Sequence, residues 1–77
     1  MTIQELRQSK DYADAINKIK KYSKGFTFKL NYSQILKGKA NALRIIMQDS
    51  IENGIVESVS FGLALSGERT DETFKRL

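Results

Sequence analysis

Along residues 2–23, Tyr12, Ala15, Ile16, Ile19 and Tyr22 recur three and four positions apart among strong helix formers, and Gly25 supplies a natural C-terminal stop. That period predicts a helix with one apolar face. Ser9 is a capping residue within the stretch, so the helix can break near Ser9 and Lys10. Phe26, Phe28 and Leu30 then alternate with Thr27, Lys29 and Asn31, the period-two pattern of a short strand buried on one side. Residues 33–36 suffice for one short helical turn, which Gly38 breaks. From 39 to 53 the helical period returns, with Leu43, Ile46, Met47, Ser50 and Ile51 on one side and Asn41, Arg44, Ile45, Gln48 and Glu52 on the other. Gly54 ends it. A longer strand follows, in which Ile55, Val59, Phe61, Leu63 and Leu65 alternate with Val56, Ser58, Ser60 and Ala64, before Ser66 and Gly67 turn the chain. Residues 68–77 admit two readings, a short terminal helix capped by Thr70 or a strand over 73–77 returning beside the previous one. The pattern as a whole is that of one small α+β domain spanning 1–77.

Composition narrows the chemistry. A chain of 77 residues with 40% hydrophobic and 29% charged residues has the balance of a folded domain, with room for one small core and no catalytic lobe. It has neither cysteine nor histidine, which removes disulfides, thiolate zinc sites, cysteine nucleophiles and imidazole bases together. The five glycines stand alone at 25, 38, 54, 62 and 67, so no phosphate-binding or dinucleotide-binding glycine loop is present. The carboxylate pairs Asp11/Asp14 and Asp71/Glu72 lack the spacing of a calcium loop and have no nucleophile or base nearby. Neither an enzyme, a metal site nor a cofactor is expected. No apolar run approaches the roughly 18 residues of a membrane span, and the first residues lack the apolar middle of a signal peptide, which predicts a cytoplasmic protein.

Charge distribution says more than net charge. The formal value is +4, from 13 basic and 9 acidic residues. Between 18 and 44, however, Lys18, Lys20, Lys21, Lys24, Lys29, Lys37, Lys39 and Arg44 occur with no acid at all, while both ends are weakly acidic. A block of this kind attracts polyanions, either nucleic acid or an acidic protein surface. Its plainer meaning is a lysine-rich solubilising surface.

The order helix, strand, short helix, longer helix, strand, turn and final segment resembles the winged helix-turn-helix superfamily of DNA-binding proteins. FTFKLNYSQI matches its first strand and second helix. GKANALRIIMQDSIENGIVES matches a recognition helix running into the first wing strand, and GERTDETFKRL matches the wing tip and return strand. Two features depart from the pattern: the segment before the recognition helix is short for a full second helix, and the wing is acidic for a DNA-binding wing. The resemblance implies major-groove binding by the helix over 39–53.

The residues make sense of that implication independently. Lys37, Lys39 and Arg44 lie at the N-terminal end of this helix, with Asn41 and Gln48 on the same outward stripe; arginine can pair with guanine, and Asn or Gln with adenine, through two hydrogen bonds. Ile45 would meet a thymine methyl, and Asp49 and Glu52 would point away from phosphates. Lys18, Lys20, Lys21, Lys24 and, in the wing, Arg69 are candidate phosphate contacts. The lysines at the end of the first helix equally complement its dipole. The tyrosines are scattered, which argues against a base-stacking RNA sheet. The expected function is double-stranded DNA binding, as a homodimer, in regulation, replication or segregation, with a small protein-binding inhibitor or adaptor as the rival. The rival rests on an exposed Ile45 and the acidic C-terminal segment, which suit a protein partner. Single-stranded binding by the basic strand ranks below both.

Overall fold

Two side-chain caps divide the N-terminal segment into two helices. In the computed structural model, which describes residues 2–77, Thr2 caps α1 (Ile3–Arg7) by accepting from the Glu5 amide at 3.1 Å. Ser9 caps α2 (Lys10–Lys20) by accepting from the Tyr12 amide at 3.2 Å, so the break falls where the serine allowed it. Helix α2 buries Ile19 and lays Tyr12, Ala15 and Ile16 against the core. It stops at Lys20, earlier than the sequence period suggests, because Tyr22 turns out of the helix to pack on Phe26 and Phe28, with ring centroids 4.9 and 5.1 Å away.

Three antiparallel strands form one sheet in the order β1-β3-β2: β1 is Thr27–Asn31, β2 Val56–Leu63 and β3 Arg69–Arg76. The ambiguous C-terminal segment is therefore the central strand, and it is a strand because it supplies the ladder for both neighbours. Phe74, fully buried, sits between Phe28 and Ser58 in the register. Strand β2 departs from its predicted alternation. Val56, read on the polar side, is buried, and Val59, read on the apolar side, is exposed; register shifts between Ser58 and Ser60 and between Gly62 and Leu63 then re-phase the strand, so that Phe61 stands opposite Glu72 and Leu63 opposite Arg69.

The second helix of the predicted order is only a 3-10 turn, Tyr32–Gln34, followed by α3 over Lys37–Glu52. Gly38 does not break the chain as expected. It lies in the first turn of α3, where amides have no helical acceptor in any case. The other end is as predicted: Gly54, at φ +70°, donates to the Ile51 carbonyl, and Ile55 donates to that of Ser50, the paired bonds of a Schellman cap. Ile46 and Met47 of α3 meet Ile19, Val56 and Phe74 in the core, with Leu43 and Ile51 packed at its margin. The domain is α+β, with three helices and one three-stranded antiparallel sheet, and the open reading of its last segment resolves as a strand.

Candidate nucleic-acid interface

The N-terminal end of α3 is unlike the other two helix starts. Leu36 occupies its cap position and offers no side-chain acceptor, and no acidic residue lies in its first turn. Lys37 and Lys39 are there instead, both exposed. Cations at the positive end of a 16-residue helix are electrostatically unfavourable without an anion nearby. In α1 and α2, by contrast, Glu5 and Asp11 occupy the first turn beneath a hydroxyl cap.

Along the outward stripe the candidate reading side chains are partly engaged within the protein. Arg44 folds back: its guanidinium lies 4.8 Å from the Tyr32 ring centroid, Nη2 donates to the Arg69 carbonyl at 2.8 Å, and Nη1 donates to Asn41 Oδ1 at 2.9 Å. Arg44 thus bridges α3 to the start of β3 instead of standing free beside Asn41 and Gln48. Gln48 remains exposed, its amide 3.4 Å from Glu52 Oε1. Ile45, expected to face outward, is half-buried and lines a cavity together with Thr2, Ile3 and Leu6 of the α1 segment. Asp49, expected only to point away from phosphates, is buried. Arg7 donates to its two oxygens at 2.9 Å each, and the Tyr12 hydroxyl donates at 2.7 Å. The Arg7 hydrogen bond, against the opposing effect of burial, holds the Asp49 carboxyl below the usual carboxylate range.

Arg69, the first residue of β3, stacks 4.3 Å from the Phe61 ring centroid and pairs with Glu72, a carboxylate only 3% exposed. Glu72 also accepts from the Ser58 hydroxyl at 2.6 Å and the Tyr32 hydroxyl at 3.3 Å. Burial first, and this carboxylate second, push the Tyr32 hydroxyl well above its ordinary value. Of the acids in the C-terminal segment, Glu72 is enclosed, Asp71 lies 3.7 Å from Lys29 and accepts from the Gly62 amide, and Glu68 is exposed.

The acid-free block of the sequence is split between two poles. Lys18, Lys20, Lys21 and Lys24 are exposed around the C-terminal end of α2. Arg76 fastens that end to the far end of α3, donating to the carbonyls of Lys20 and Ile55. Lys37 and Lys39 stand at the opposite end, about 24 Å away at 1.5 Å per residue over the 16 residues of α3. Sequence order alone placed these lysines in one block; the direction of α3 separates them.

Comparison with protein-family models, curated proteins and solved structures gave no match. Among the described residues no helix is long and apolar enough to cross a membrane, and no group of three or more His, Cys, Asp or Glu residues is placed to hold a metal ion.

Proposed function

We propose that this chain is a winged-helix-type domain that binds double-stranded DNA, with the N-terminal end of α3 as its primary contact. The observation that carries the proposal is this uncapped, acid-free helix start bearing exposed Lys37 and Lys39. Such an end presents free amides and positive charge to a phosphate. The second lysine cluster, at the other pole, extends the contact along the backbone and adds salt-dependent affinity. Arg44, tied to the Arg69 carbonyl, is withdrawn from base reading. Asn41 and Gln48 are the base-reading residues, since both remain exposed on the outward stripe.

A replacement series tests the assignment. Lys37→Ala with Lys39→Ala should weaken binding to every duplex by a similar factor, because phosphate contacts position without reading sequence. Gln48→Ala should change the preference among sequences more than the mean affinity. Unchanged duplex affinity in the double lysine variant would remove α3 from the interface.

One observation favours a protein partner instead. Phe61 and Leu63 are 48% and 59% exposed, and Leu65 is fully exposed at the wing tip. They replace Ile45 and the acidic segment as the features that suit a protein surface.

A further inference from the structure

A cleft of about 350 Å³ lies between the first turns of α3 and the wing. Lys37 and Arg44 line one side, and Arg69 and Thr70 the other, with Ser33 at the 3-10 turn. Three cationic residues therefore line one small space. Their charges are answered unequally. Arg69 is paired with Glu72, whereas Lys37 and Arg44 have no carboxylate within salt-bridge distance among the described residues. Arg44 uses Nη1 and Nη2 once each, and its buried Nε has no acceptor, so the guanidinium retains unused donors. Glu68 also lines the cleft and opposes an anion there.

We propose that this cleft seats a single phosphate group, held by Lys37, Arg44 and Thr70; resting on the DNA reading above, we assign that group to a phosphodiester of the duplex backbone. The arrangement would lock the wing and α3 onto the same phosphate. It also explains why Arg44 turns inward: the residue forms the wall of a phosphate seat and is withdrawn from base reading.

Inorganic phosphate titrated at constant ionic strength, followed by ¹H–¹⁵N NMR on the full chain, tests the seat itself. Saturable shifts should concentrate on the amides of Gly38, Lys39 and Thr70 and on Arg44 Nε–H. Lys37→Ala should weaken the response about tenfold, the loss of one good charge-assisted contact. Glu68→Gln should strengthen it several-fold. Both positions are exposed, so spectra outside the cleft report whether the fold is intact. Non-saturating shifts, shifts spread equally over Lys18, Lys20, Lys21 and Lys24, or indifference to both substitutions would overturn the seat.

A duplex arm identifies the source. If the phosphate is the backbone's, Lys37→Ala should also lower the slope of log affinity against log salt by about one. Duplex binding that leaves the cleft signals unmoved would overturn the seat while sparing the DNA reading. A saturable phosphate response with no duplex binding would keep the seat and overturn its assignment to DNA.

Discussion

A single carboxylate, that of Asp49, joins all three helices: it stands on α3 and accepts from Arg7 of α1 and Tyr12 of α2. Its folded-state acidity is increased, so its ionised form favours the fold. That stability is present above the ordinary carboxylate range and is lost as pH falls through the lowered folded value. Asp49→Asn should therefore lower the melting temperature at pH 7, and its difference from wild type should narrow below about pH 4. Parallel melting curves across the acid range would contradict this role. Arg44→Ala should cost about 1–3 kcal/mol through loss of its stacking on Tyr32 and its bond to the Arg69 carbonyl, measurable by denaturant titration. Neither arrangement was legible in the sequence. Arg7 and Asp49 are 42 positions apart, and no local period announces that one will answer the other.

At the scale of elements the sequence was more informative, because hydrophobic period reports directly on which side of an element is covered. The face of α3 through Leu43, Ile46, Met47 and Ile51 was readable for this reason. Ile46→Ala should remove buried methyl groups from the core and cost about 2–5 kcal/mol. Ile45→Ala should cost about 1 kcal/mol, since this residue is only partly buried. Equal losses in thermal melts would show that the helical phase is wrong. Gly54 was readable as a stop, and its positive φ makes Gly54→Ala a strained substitution costing about 1–2 kcal/mol. The inner face of β2 was not readable, since its alternation put the buried Val56 with the polar set and the exposed Val59 with the apolar one. Two register shifts, between Ser58 and Ser60 and between Gly62 and Leu63, change its phase, and only the pairing with β3 reveals them. The terminal strand was similarly ambiguous, since its period means strand only once β1 and β2 flank it.

For the whole molecule, the sequence showed an excess of lysine but not its distribution in space. Lys18, Lys20, Lys21 and Lys24 gather near the C-terminal pole of α3, and Lys37 and Lys39 at its N-terminal pole, because Arg76 clamps α2 to the Ile55 end. Contacts at both poles should contribute nearly independently. Combining Lys20→Ala and Lys21→Ala with Lys37→Ala and Lys39→Ala should give a loss of duplex affinity close to the sum of the two separate losses in free energy. A strong departure from additivity would mean that the two clusters do not act as separate phosphate contacts.

The central claim, that these lysines form a polyanion-binding surface for duplex DNA, is tested most directly by measuring affinity for random-sequence duplex across a salt series. The account predicts that log affinity falls linearly with log salt with a slope of about −4 to −6, the release of counterions from roughly five or six phosphates. Undetectable binding at low salt, or an affinity flat across the series, would contradict it and leave the exposed Phe61, Leu63 and Leu65 of the wing as the surface to pursue.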